Sequence, residues 1–273
     1  MVHFYDSLPD NLRDWALAQR VFFTASAPLD GRHVNLSPKG LVSATFAVLD
    51  GNRAAYLDTA GSGVETVAHV YENGRVTVMF CSLDARPRIM RLFCTGRVVE
   101  RADADAFRRA WRSMGKPGEP MVGARAVIML RIWKVQTSCG YGVPVFRSHD
   151  DHASHLGQDP TPCSCYEDRP TLEKALANFD RRGKLAGYLR DMNSRSLDGL
   201  LGLREARRAR GENMAAAEAA AWLGRQLRHP AALALGVVVG LALPVCLLSI
   251  RALLLLAGSS CRAYMHVSAQ NGL

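Results

Sequence analysis

"SATFAVLDGNRAAYLD", residues 43–58, is the stretch on which the fold turns. Two β-prone runs flank Asp50-Gly51-Asn52, and Asp-Gly between apolar runs is a strong hairpin signal. A hairpin makes its two strands antiparallel neighbours. Working outward, "RVFFTASA" (20–27) and "HVNLSPKG" (33–40) read as earlier strands. "RVTVMFCS" (75–82), "RIMRLFCTGRVVER" (88–101, bent at Gly96) and "RAVIMLRIWKVQTSCG" (125–140) read as later ones. Three helices are inserted. The first opens at Pro9-Asp10, with Leu12, Trp15, Ala16 and Gln19 on one side. "VETVAHVYENG" (64–74) is the second and ends at Gly74. "ADADAFRRAWRSMG" (102–115) is the third and turns Phe107, Ala110, Trp111 and Met114 inward. Consecutive, hairpin-linked strands favour a small antiparallel barrel over a doubly wound sheet, so residues 1–147 are expected to form a mainly β domain with inserted helices.

Residues 148–171, poor in aliphatics and rich in Pro and polar groups, read as a linker. Residues 172–228 read as a helical extension carrying Arg204, Arg207, Arg208 and Arg210. "PAALALGVVVGLALPVCLLSI" (230–250) has no charged residue and is long enough to span a bilayer. A transmembrane helix is therefore expected over 229–257, followed by a short tail, 258–273. Arginines before the span place the barrel domain in the cytosol as a tail-anchored protein; without a true span the protein is cytoplasmic.

The chain has 273 residues and a formal net charge of +9. That balance suits phosphorylated ligands, nucleic acid or anionic lipid, and does not choose among them. Aromatic residues are only 7%, and no stacking platform or recognition helix is legible, so nucleic acid is not expected as a partner. Seven cysteines and an N-terminus without an apolar signal region imply free thiols in a reducing compartment.

Four motifs carry possible chemistry. In "HVNLSPKG", His33, Asn35, Ser37 and Lys39 alternate onto one side, which is either wetted surface or the wall of a polar ligand site. "TAGSGVETVAHV" (59–70) opens a helix whose free N–H groups could hold phosphate, although Ser62 and Glu65 also have the spacing of a capping box. Arg86, Arg88 and Arg91 crowd one strand entry and suit an anion. "SCGYGVP" (138–144) is a turn, or a place where backbone approaches a flat ligand beside Tyr141 or Trp133. "SHDDHASH" with "CSC" lacks a standard zinc spacing and reads as solvated linker, so no metal site is expected. Dinucleotide, P-loop, G-x-S-x-G and H-E-x-x-H patterns do not occur.

Taken in order, "HVNLSPKG", "AYLDTAGSGVETVAHVYENGRVTVMFC", "RPRIMRLFCTGRV" and "SCGYGVP" resemble the pyridoxamine 5′-phosphate oxidase-like family over residues 10–145. The resemblance implies a six-stranded antiparallel split barrel of the FMN-binding type, a homodimer, and FMN in a cleft between the barrels. It implies that His33, Asn35, Ser37 and Lys39 face flavin and its ribityl chain. The phosphate would sit with Thr59, Ser62, Gly63 and Thr66, neutralised by Arg88 or Arg91. The implied function is an oxidoreductase moving hydride or electrons between flavin and an unidentified small substrate, with no side chain assigned as acid or base. A non-catalytic, membrane-tethered flavin- or haem-binding scaffold is the alternative. Where the family's vitamin B6 oxidases carry basic residues, this loop has Gly63-Val64, and their C-terminal Arg-and-His segment has no counterpart after residue 145. The substrate is left open.

Overall fold

The structure is a computed structural model that describes residues 2–146 and 166–227, with isolated positions between 236 and 242. The first compact unit is residues 1–175. Its elements are β1 (His3–Tyr5), α1 (Asp10–Leu17), β2 (Val21–Ser26), β3 (Asn35–Gly40), α2 (Val42–Thr45), β4 (Phe46–Asp50), β5 (Arg53–Thr59) and α3 (Glu65–Asn73). Then come β6 (Arg75–Cys81), β7 (Ile89–Glu100), α4 (Ala104–Ser113), β8 (Ala124–Ser138), β9 (Val145–Phe146) and β10 (Tyr166–Glu167). Eight strands form one sheet in the order β3-β2-β6-β7-β8-β5-β4, with β1 paired to the far end of β8. Every pairing is antiparallel. Seven of these eight strands are the ones read from the sequence, one more than the six-stranded barrel that the resemblance implies, and β1 is the addition. β8 is 15 residues long and serves both β5 and β1, and the three-residue N-terminal "HFY" is too short to show a period-two signal.

Period-two patterning explains the two sides of the sheet. Phe22, Phe46, Tyr56 and Phe80 turn inward with ring centroids 5.1–5.7 Å apart. They are fully buried, and each such ring contributes about 1.5–3 kcal/mol of apolar burial. On the other side, α4 lays Phe107, Ala110 and Trp111 over Leu57, Val99 and Val127. Asp103 caps α4 by accepting from Ala106 N at 3.1 Å, and Trp111 Nε1 donates to Gly118 O at 2.9 Å. α3 ends at Gly74, whose left-handed φ of 71° and N–H bond to Val70 O at 3.1 Å close the last turn.

Two local expectations change. Gly96 does not mark the bend in β7; the register shift lies between Phe93 and Cys94. Gly96 instead lets α3 approach, because a Cβ there would stand 3.1 Å from Val70 Cγ2. Gly140 serves close packing too, since a Cβ would meet the Arg88 backbone N at 2.9 Å, so the near neighbour is protein backbone and no ligand need be invoked. Part of the expected linker is ordered: β10 pairs with β9, and Arg169 Nε donates to Val143 O at 2.7 Å.

The second unit, residues 176–273, contains the end of α5 (Thr171–Arg181), then α6 (Leu185–Asn193), α7 (Arg204–Arg208) and α8 (Met214–Leu227). Its arginine cluster is largely spoken for. Arg207 is buried and donates to Glu212 at 2.6 Å, Arg204 pairs with Glu218 at 3.2 Å, and Arg210 donates to Ser194 Oγ at 2.8 Å. Among the described residues no helix is long and apolar enough to cross a membrane. The expected span over 229–257 lies outside the described residues apart from those isolated positions, as does "SHDDHASH" with "CSC". Among the described residues, no group of His, Cys, Asp and Glu could hold a metal, and Cys81, Cys94 and Cys139 are free thiols.

Candidate functional site

β3 is an edge strand, and only its Asn35–Gly40 portion pairs, against β2. Along it Asn35, Ser37 and Lys39 are half-buried while Leu36 and Pro38 are exposed. The polar side therefore faces protein, the reverse of an ordinary surface strand. Ser37 Oγ donates to Asn35 Oδ1 at 2.8 Å. Asn35 Nδ2 donates to Thr66 Oγ1 at 2.9 Å and Ser26 Oγ at 3.2 Å, and Ser26 in turn meets His69 Nδ1 at 2.9 Å. One amide thus ties β3, β2 and α3 together. His33 lies before β3, exposed, its ring centroid 5.6 Å from that of buried His69.

Beyond Ser37 this wall opens into a cleft of about 440 Å³. Ser37, Lys39, Thr59, Ser62, Gly63 and Thr66 all line it. His33, Asn35, Arg88 and Arg91 do not. Arg88 packs over the Trp15 ring at 5.3 Å, and Arg91 donates to Gln136 Oε1 at 3.3 Å on the outward side of β7. The reason is register: Arg91 stands opposite Met79 and Gln136, and the side chains that alternate with it, Met90 and Leu92, fill the core.

The cations of the cleft come from elsewhere. Asp58, its side chain 1% exposed, lies between Lys39 Nζ at 3.6 Å and Arg125 Nε at 2.5 Å. Arg125 also donates to Gly63 O at 2.8 Å, fastening the loop that leads into α3. Sequence reading missed both Asp58 and Arg125. They are 67 positions apart and meet because β5 pairs with β8, with a register shift between Asp58 and Thr59 at the rim. The available signal was a lone carboxylate at an inward position of an otherwise apolar strand, which demands a partner.

The entrance of α3 also departs from expectation. The helix begins at Glu65 with Val64 as N-cap and no side-chain cap. Ser62 and Glu65 therefore do not form a capping box: Glu65 falls on the first helical residue, two places too early. Its carboxylate folds against Gly63, where a Cβ would come within 2.2 Å of Oε2. The first-turn N–H groups of a nine-residue helix are left without side-chain caps beside Ser62 and Thr66. Leu41, which also lines the cleft, is the one non-glycine with positive φ (55°) among the described residues. Its carbonyl holds that geometry by accepting from Ala44 N and Thr45 N, each at 2.8 Å. Behind the cleft, Tyr56 Oη and Thr24 Oγ1 are buried without a hydrogen bond. Burial, then the Asp58 charge, pushes the Tyr56 phenol well up, so it stays neutral.

Side chains here supply two cations, Lys39 and Arg125, and two carboxylates, Asp58 and Glu65. The remaining attraction for an anion comes from the uncapped helix end and the Ser62 and Thr66 hydroxyls. Such a donor set can seat one phosphate.

The model of the family described as "Pyridoxamine 5′-phosphate oxidase" matches residues 8–139. The pyridoxamine 5′-phosphate oxidase family protein ustO of Aspergillus flavus is 53% identical over 209 residues, covering 77% of this chain and 81% of that one. Among solved structures, a candidate pyridoxamine 5′-phosphate oxidase from Lactobacillus delbrueckii is 21% identical with TM-score 0.37, covering 48% of this chain and 94% of its own. The FAD binding protein from Mycobacterium smegmatis is 12% identical with TM-score 0.34, covering 48% and 95%.

Proposed function

The chain belongs to the pyridoxamine 5′-phosphate oxidase family, and on that footing we propose that it binds a phosphorylated flavin, FMN, and works as an oxidoreductase on a small substrate. The observation that carries the reading is the uncapped start of α3, opening between Ser62, Thr66 and the Lys39–Asp58–Arg125 set. The phosphate would accept from the α3 N–H groups and from the Ser62 and Thr66 hydroxyls. Asn35, Ser37 and Lys39 would flank the ribityl chain and ring edge, with Leu41 against the ring. Lys39 and Arg125 replace Arg88 and Arg91 as the cations of the cleft. Bound flavin supplies the hydride and electron chemistry. The protein's part is orientation, and Lys39 would offset negative charge on the reduced ring.

A homodimer belongs to the same reading. The outward side of the β3–β2–β6 end carries Leu36, Pro38, Phe23 and Met79, half-buried or exposed in a single chain, and a second copy would cover them. The family's substrate-phosphate segment of Arg and His has no counterpart in the sequence after residue 145, which argues for a substrate other than a vitamin B6 phosphate.

The test is direct. Full-length protein is purified, its released small molecules are identified by mass spectrometry, and FMN and riboflavin are titrated against it. FMN is expected to bind and to be preferred to riboflavin. A protein that neither carries nor takes up FMN, or that does not distinguish it from riboflavin, overturns the reading.

A further inference from the structure

Away from the cleft, the outward side of the sheet changes character at its β7–β8–β5 end. α4 covers Val99, Val127 and Leu57, and then stops. Past Ala55 and Met129, which still belong to that cluster, the outward side carries Arg97 on β7, Arg131 on β8 and Arg53 on β5. They line one concave cavity of about 760 Å³, with Thr95 and Met129 between them and the Asp50–Asn52 turn at its rim. Strand register makes the crowding unavoidable. Arg53 stands directly opposite Arg131, and Arg97, opposite Met129, is the diagonal neighbour of Arg131.

Like charges directly opposite each other on paired strands are unfavourable; Asp50 offsets Arg53, and no carboxylate offsets Arg131 or Arg97 among the described residues. Asp50 is the one carboxylate at the cavity, and it is already used: Asn52 N donates to it at 2.9 Å and Arg53 Nε at 2.6 Å. Arg97 and Arg131 make no ion pair and no side-chain hydrogen bond among the described residues. Thr or Gln would wet such a face at lower electrostatic cost. Paired guanidiniums with nothing to bind are the arrangement that suits a multiply charged phosphate, which accepts bidentate hydrogen bonds from planar N–H forks.

A second feature adds a ring to the anion. Two residues further along the same face, Trp133 follows Arg131 and Phe93 precedes Thr95. Their rings stack at 5.6 Å, tilted by 33°, and Trp133 is 48% exposed. Trp133 is the extra residue of β8 at the irregularity opposite Phe93 and Cys94, so an aromatic face borders the arginine group on the same strand. We propose that this face is a nucleotide site, distinct from the flavin cleft, with Arg97 and Arg131 on the phosphates and Trp133 against the base. The site does not depend on the flavin assignment.

Full-length protein is titrated at low salt with ADP, inorganic pyrophosphate and adenosine, followed by calorimetry and Trp fluorescence. ADP is expected to bind best and pyrophosphate more weakly. Arg97→Ala and Arg131→Ala each weaken both by tenfold or more, while Trp133→Ala weakens ADP and spares pyrophosphate. Arg131→Gln reports on the fold: the melting temperature at low salt stays level or rises as the Arg53 repulsion is removed. Lys39→Gln, in the flavin cleft, leaves Asp58 paired with Arg125 and leaves ADP binding as it was, so failure of the cleft and failure of this site read out separately. ADP binding that survives loss of Arg97 and Arg131, that disappears with Lys39, or that does not occur at all overturns the proposal. So does an Arg97/Arg131 effect that tracks only the monomer–dimer ratio, because the arginines would then serve a second copy.

Discussion

Asp58→Asn separates two roles of one carboxylate and moves two measurements in opposite directions. Asp58 is buried between Lys39 and Arg125. Removing one member of a fully buried ion pair costs about 3–5 kcal/mol, because the remaining charge is stranded. Here the two cations keep side-chain exposures of 28% and 33%, so solvent recovers part of that, and about 2 kcal/mol is expected. For a unit of this size that lowers Tm by about 4–8 °C. Meanwhile the cleft gains one unit of positive charge. At roughly 8 Å and an effective dielectric constant of about 40, each negative charge on a ligand gains about 1 kcal/mol. An FMN phosphate of charge near −2 should therefore bind roughly thirtyfold more tightly, whereas riboflavin should not. Thermal melts without ligand and flavin fluorescence titrations read both quantities. If the variant melts like wild type, or if FMN and riboflavin weaken together, Asp58 is not the counter-charge of an anion site and the electrostatic account of the cleft is wrong.

Asn35→Ala removes the amide that joins Ser37, Ser26 and Thr66; a loss of about 1–2 kcal/mol in urea unfolding is expected, with flavin affinity reduced in parallel, and unchanged affinity would detach β3 from the site. Gly96→Ala places a methyl against Val70 and Val76 at 3.1–3.3 Å, and a destabilisation of about 1–3 kcal/mol should appear as a shifted denaturant midpoint. Burial pushes the Cys94 thiol up to about 12, so Cys139, exposed, should react with a thiol reagent in the native protein and Cys94 only on unfolding. Because Cys94 holds its proton in the folded state and loses it near pH 9 when unfolded, stability should fall as pH rises from about 9 toward 12, by up to about 1.4 kcal/mol per pH unit. Cys94→Ala should remove that component, and identical alkaline unfolding curves would count against it.

Much of the fold was written locally. The Asp50-Gly51-Asn52 turn, the period-two strands of β2, β6 and β8, and the apolar stripe of α4 each follow from spacing within a dozen residues. Six expected positions of the site, Ser37, Lys39, Thr59, Ser62, Gly63 and Thr66, line one cleft for a similar reason, since they sit on a strand, a turn and a helix start that are near in sequence. Arg88 and Arg91 were drawn toward that cleft by their chemistry alone, and strand register turned them away. The expected capping box depended on where α3 starts, a difference of two residues that spacing does not fix.

Composition and periodicity by themselves determined that this chain builds an antiparallel sheet with helices laid on it, because alternation and turn chemistry act between neighbours along the chain. Only the tertiary structure decided which charges share a cavity. Pairing between strands remote in sequence puts Arg53 opposite Arg131, and at the other end of β5, beside a one-residue shift, it brings Asp58 to Arg125. A side chain's partner is fixed by that register, and a change of one residue sends it to the other face of the sheet.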